Sequence, residues 1–133
     1  MDTPHFDAAV SAFTTALAGR VSPSIASFPD LFHDDATIVV PFDGSGDGAP
    51  IMGKPAIEQM TRDLAGFLWF EHVTFDSVLP THDVNVVVCE YQAVLRRADM
   101  PGRQRRRYIS IITLHEGRIS TLREHGGPFM PIE

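Results

Sequence analysis

The sequence predicts an α+β domain in which a curved antiparallel sheet covers helices on one face. Two observations carry this reading. Apolar residues recur at helical spacing in two separate stretches, and the period then drops to two through four consecutive segments joined by turn residues.

The 133 residues and 44% hydrophobic content suit one domain, 1–133, around one core. Phe6, Val10, Phe13 and Leu17 predict the first helix, with Thr3 as cap, Pro4 at the first helical position and Gly19 past the end. Ser22 and Pro23 repeat the start signal for a short helix carrying Ile25, Phe28 and Leu31, interrupted at Pro29. Residues 36–42 are rich in β-branched side chains and read as a strand. The glycine-rich residues 43–50 read as a loop, either a lid over a pocket mouth or a plain connection, and 50–52 as a short edge strand. Pro55 opens a second helix with Ile57, Met60, Leu64 and Phe67 or Leu68 on one face. Long strands are expected at 71–79, 84–97 and 104–115 and a shorter one at 118–125, with hairpin turns at 100–102 and 116–117.

Composition narrows the function classes. The net charge is −6, and six of the 11 basic residues fall between Arg96 and Arg107. An acidic chain with one local basic stretch is a poor nucleic-acid binder, because affinity comes from neutralising many phosphates. The arginine stretch reads as a solvated hairpin tip, with an anionic substrate or acidic partner as the alternative. A single cysteine, Cys89, rules out an intramolecular disulfide framework. The N-terminus shows no basic and apolar signal regions, and no apolar run approaches the roughly 20 residues a membrane span needs. A cytoplasmic protein with no membrane partner is expected. The six histidines show no metal-ligand spacing, and the glycine-rich loop has neither a P-loop ending nor a dinucleotide fingerprint, so neither metal nor cofactor is expected.

Several short motifs share one order along nearly the whole chain. Leu31-Phe-His-Asp-Asp-Ala-Thr-Ile38, Gly53-Lys-Pro-Ala-Ile57, Glu116-Gly-Arg-Ile119 and Leu122-Arg-Glu124 resemble the nuclear transport factor 2-like superfamily of ketosteroid isomerases, SnoaL-like polyketide cyclases and limonene epoxide hydrolase. Pro101-Gly-Arg103, Arg123-Glu124 and Pro128-Phe129 are most similar to the phenazine biosynthesis A/B branch. The resemblance implies a cone-shaped, cystatin-like α+β barrel of that fold. It also implies an interior pocket for a small apolar or aromatic organic ligand, and a homodimer formed through the outer sheet face.

Carried over position by position, the resemblance puts Val40 where a ketosteroid isomerase has its aspartate base, Phe13 where it has its oxyanion-hole tyrosine, and Ser110 near its second donor. Enolisation by that machinery is therefore unavailable. The histidine of the phenazine proteins falls near Met60, and the epoxide hydrolase's Arg-x-Asp pair is not evident around Glu90. The last-strand carboxylate of the epoxide hydrolase and phenazine proteins has a match in Glu124.

Strand alternation puts Ser120, Leu122 and Glu124 on one face and Ile119, Thr121 and Arg123 on the other, with His125 pointing away from Glu124. Facing an apolar pocket, Glu124 would have a raised pKa suited to general acid and base work; at an exposed sheet end it would pair with an arginine. Glu90 and Gln92 share a face, as a ligand-facing pair or paired with Arg105 or Arg107 across the hairpin. Tyr91 and Tyr108 can donate hydrogen bonds to a ligand, and Trp69 suits a pocket wall or a dimer contact. His72 reads as a surface histidine, with a base as the alternative.

Two functions remain open. One is a cofactor-independent isomerase, cyclase or dehydratase in which Glu124 moves the proton. The other is a non-catalytic ligand-binding or dimerising scaffold of the same fold.

Overall fold

The computed structural model describes residues 4–40 and 49–132. A 3-10 turn at Pro4–Phe6 leads into α1 (Asp7–Ala16), and a second 3-10 turn at Pro29–Leu31 precedes β1 (Phe32–Val39). The short β2 (Ile51–Met52) and α2 (Lys54–Ala65) follow, and then β3 (Leu68–Pro80), β4 (Val86–Arg97), β5 (Arg103–His115), β6 (Arg118–Gly126) and β7 (Met130–Ile132). Thr3 and residues 41–48, with the expected cap, the end of the first strand and most of the lid loop, lie outside the described residues.

The strands form one curved, unclosed sheet in the order β2-β1-β6-β5-β4-β3, with β7 pairing β5 beyond the end of β6. The sheet is mixed rather than wholly antiparallel. β1 runs parallel to β6, because the last strand of the meander returns beside the first instead of joining it by a hairpin. Of the predicted short helix at 22–31 only the turn Pro29–Leu31 forms. Pro29 lacks the N–H a helix ladder needs, and side chains take over instead: Asp30 accepts from the Ala26 N–H, and Ser27 from the Asp30 N–H. β1 starts four residues earlier than expected, since Phe32 already pairs with Ile119. β7 had no recognisable signal, being three residues long with Pro131 inside it.

Alternation along β4 and β5 decides what faces in. Val87, Cys89, Tyr91, Ala93 and Leu95 are buried on β4, as are Gln104, Tyr108, Ser110, Ile112 and Leu114 on β5. α1 lays Phe6, Ala9, Phe13 and Leu17 against this concave face, and α2 adds Ile57 and the buried Thr61, whose hydroxyl is satisfied by the Ile57 carbonyl at 2.8 Å. On β6 the simple alternation fails. Thr113 pairs with Thr121 but Leu114 pairs with Ile119, so Ser120 is an extra residue and forms a bulge. Ile119 is thereby buried on the same side as Leu122 and Glu124, where strict alternation had put it on the opposite face.

Ile112 is fully buried at the centre of the sheet. Ile112→Ala should cost about 2–5 kcal/mol through lost burial and the cavity left behind, read as a lowered urea midpoint at unchanged slope.

Candidate active site

A cavity of about 340 Å3 opens between the concave face and the two helices, within the range that accommodates small organic ligands. Its walls are mostly hydrocarbon: Phe6, Ala9 and Phe13 from α1, Ile38 and Val40 from the first strand and its end, and Met60 and Leu64 from α2. The polar groups are few and come from three adjacent strands: Tyr91 and Arg97 on β4, Arg106 and Tyr108 on β5, and Glu124 on β6.

Cross-strand register aligns an aromatic row that contains two of the lining residues, Tyr91 and Tyr108. Phe75, Tyr91 and Tyr108 sit directly opposite one another on β3, β4 and β5. Their rings stack at 4.7 and 4.9 Å with interplanar angles of 16° and 10°. That separation is the spacing of the strands themselves, so the sheet holds the rings face to face. The next position in the row, on β6, is Gly126, which offers no ring. The guanidinium of Arg106 fills the gap, over the Tyr108 ring at 5.1 Å and the Phe129 ring at 4.5 Å.

Glu124 lies one step along the sheet, opposite Ser110 on β5. It keeps some accessible surface, but that surface opens into the cavity, and protein surrounds the carboxyl. Burial raises its pKa above the ordinary 4.5, while the charges of Arg106 and then His125 pull it back only in part. No described side chain hydrogen-bonds the carboxyl, which leaves it available to a ligand. Burial also pushes both tyrosines up, with the Glu124 charge adding to the effect, so each stays a neutral phenol. Tyr91 shares a 2.7 Å hydrogen bond with the fully buried Ser110 hydroxyl.

Of the residues singled out in the sequence, Phe13, Val40, Tyr91, Tyr108 and Glu124 thus converge on one cavity. Three do not. Trp69 is 42% exposed and packs edge-on against His5 at 4.5 Å, because it sits on the outer face of β3 next to the end of α2. Glu90 and Gln92 have the opposite parity to the inward Tyr91 and point away from the cavity. Their hydrogen-bond partners are β3 side chains rather than the arginines: Ser77 donates to Glu90 at 2.6 Å, and Gln92 donates to Asp76 at 3.1 Å. His72 is exposed, also on β3.

The arginine stretch is not simply a solvated tip. Arg103 and Arg96 do bind Glu71 near the surface, but Arg97 and Arg106 face inward and line the cavity. Phe129 joins them there, sandwiched between the two guanidiniums at 4.4 and 4.5 Å. The signal for Arg106 was present, since it shares the parity of Tyr108; Phe129, in a tail without periodicity, gave none.

Among the described residues one group of potential metal donors, His33, His115 and Glu116, comes together with ligand atoms within 4.8 Å of one another. It is assembled from β1 and the β5–β6 turn, outside the cavity, and no spacing in the sequence announces it. His115 and Glu116 are exposed, and the contacts of Glu116 Oε1 to His115 and His33, 3.3 and 3.9 Å, account for the cluster as surface pairing.

A curved sheet wrapped on two helices, with an apolar hollow and a last-strand carboxyl looking into it, defines a nuclear transport factor 2-like, ketosteroid isomerase-like fold, and solved structures so described share it. No protein-family model matches the chain. The uncharacterized protein YesE of Bacillus subtilis strain 168 is 25% identical over 126 residues, which cover 95% of this chain and 86% of YesE. A Bacillus subtilis protein proposed to be an isomerase superposes with a TM-score of 0.72 at 25% identity, covering 95% of this chain and 91% of its own. A phenazine biosynthesis-related protein from Pseudomonas aeruginosa gives 0.57 at 20% identity, over 74% of this chain and 66% of that one. Among the described residues no helix is long and apolar enough to cross a membrane.

The raised pKa of Glu124 has a stability consequence. A carboxyl whose folded pKa exceeds its unfolded one contributes fully below the unfolded value, and that contribution is lost as pH rises through the folded one. Glu124→Gln should therefore gain stability relative to the parent as pH climbs above about 4.5, measured as the difference in denaturation midpoints across a pH series.

Proposed function

We propose that the cavity binds a small organic ligand and that Glu124 moves a proton on it, as general acid and base in a cofactor-independent isomerase, cyclase or dehydratase reaction. The observation that carries this reading is a carboxyl, raised in pKa and hydrogen-bonded by no described side chain, at the wall of a mostly apolar cavity. Proton transfer at carbon needs a group that both takes and returns a proton, and desolvation moves a glutamate toward that role. The two phenols supply neutral donors for a ligand oxygen: Tyr108 lines the cavity beside Glu124, and Tyr91 is fixed by Ser110. The solved neighbour proposed to be an isomerase supports this reaction class.

A second reading, ligand binding without turnover, is favoured by the hydrocarbon of Val40 and Phe13 where an isomerase of the resembled family has its base and phenol. A pairing of two copies through the outer sheet face would in either case cover Ile109, which stands 49% exposed on β5.

Deuterium incorporation from heavy water into a panel of small α,β-unsaturated cyclic ketones, followed by NMR, separates the readings without knowledge of the true product. The parent protein should accelerate exchange, and Glu124→Gln should slow it by about 10²–10⁴-fold, the usual worth of a general acid–base group, while ligand-induced shifts persist. Exchange by the variant at the parent rate would retire Glu124 as the proton carrier, and ligand shifts with no exchange in the parent would favour the scaffold.

A further inference from the structure

Inward strand faces bury hydrocarbon, so an arginine among them carries a desolvation cost that something must offset. Arg106 stands on the inward face of β5, two residues from Tyr108, on the same cavity wall as Glu124. Its head is fixed on several sides. Nε donates to the Gly127 carbonyl at 2.8 Å. The Tyr108 and Phe129 rings flank it. It also occupies the space above Gly126, where a Cβ would collide with the guanidinium. Arg97, the other arginine at the cavity, is charge-balanced by a two-pronged contact with Asp99 at 2.9 and 2.7 Å. Among the described residues no carboxylate comes within ion-pair distance of Arg106.

We propose that Arg106 anchors a carboxylate and that the ligand of the cavity is a small organic acid with an apolar or aromatic body. This rests on the cavity being the ligand site, as proposed above. A guanidinium cannot shed its proton, and its planar fork matches a carboxylate. One cation with no described carboxylate within ion-pair distance suits one added negative charge, which favours a monocarboxylate over a phosphate ester. The body of such an acid would lie against Phe13, Val40 and Met60. An anion on Arg106 would also cancel the positive charge that draws Glu124 toward ionisation, leaving its proton in place for donation.

The experiment uses two probes of one shape, trans-cinnamate and trans-cinnamamide, titrated calorimetrically into the full chain near neutral pH. The parent should bind the acid tighter than the amide by about tenfold or more, the worth of a charge-assisted hydrogen bond. Arg106→Gln should abolish that preference, and Gly126→Ala, which displaces the guanidinium without changing charge, should do the same. Arg105→Gln, on the outer face, should keep it, and circular dichroism would verify that each variant folds. Equal binding of both probes by the parent needs no variant to interpret; it overturns the anion inference and leaves the cavity reading standing. Binding of neither probe overturns both. A preference for the acid that survives in Arg106→Gln removes Arg106 as the anchor.

Discussion

The in-register row Phe75–Tyr91–Tyr108 sets the geometry on which the rest of the site depends. Three strands at their ordinary separation hold three rings in contact, and the row ends where β6 supplies Gly126 in place of a fourth ring. Most of the polar groups in the cavity are arranged around that end. The Arg106 guanidinium takes the vacated space, Glu124 stands two residues before Gly126 on β6, and Ser110 ties the Tyr91 hydroxyl to β5 between them. Backbone pairing rather than side-chain flexibility thus places the acid, the phenols and the cation, and groups held on strands are positioned more tightly than groups on loops.

The same arrangement explains how an apolar hollow tolerates charge. Arg97 is matched by Asp99, and Arg106 is wedged between π-faces and a carbonyl. Glu124 alone receives no such support, and its proton affinity rises in response. Two carboxyls in this protein show the contrast. Glu71 meets Arg96 and then Arg103 near the surface, and the hydrogen bond from Arg96 holds its pKa below the usual value.

Much of this was legible from residue order, and the parts that were not share a physical cause. Period-two patterning located the four long strands to within a few residues, and the motif resemblance pointed to Phe13, Val40 and Glu124 as cavity positions. Parity alone would also have told Tyr91 from its neighbours: a strand cannot turn Glu90, Tyr91 and Gln92 to one side, and the buried member of the three is the tyrosine. It would likewise have grouped Arg106 with Tyr108. Pairing partners were beyond reach, because parallel contact between β1 and β6 joins segments some eighty residues apart. The cluster of His33 with His115 and the seating of Phe129 were hidden for the same reason.

The extra residue at Ser120 has a wider meaning for how such a pocket changes its chemistry. Were Ser120 paired in step rather than looped out, strict alternation from the inward Ile119 would send Arg123 and His125 into the hollow and leave the acid outside. Removing Ser120 altogether would instead leave a regular ladder with Ile119 opposite Leu114 and Glu124 still opposite Ser110, so it is the looping-out that lets Ile119 and Glu124 share one side across an odd number of steps. One unpaired residue on the last strand thus decides whether that strand turns an acid or two bases toward the hollow.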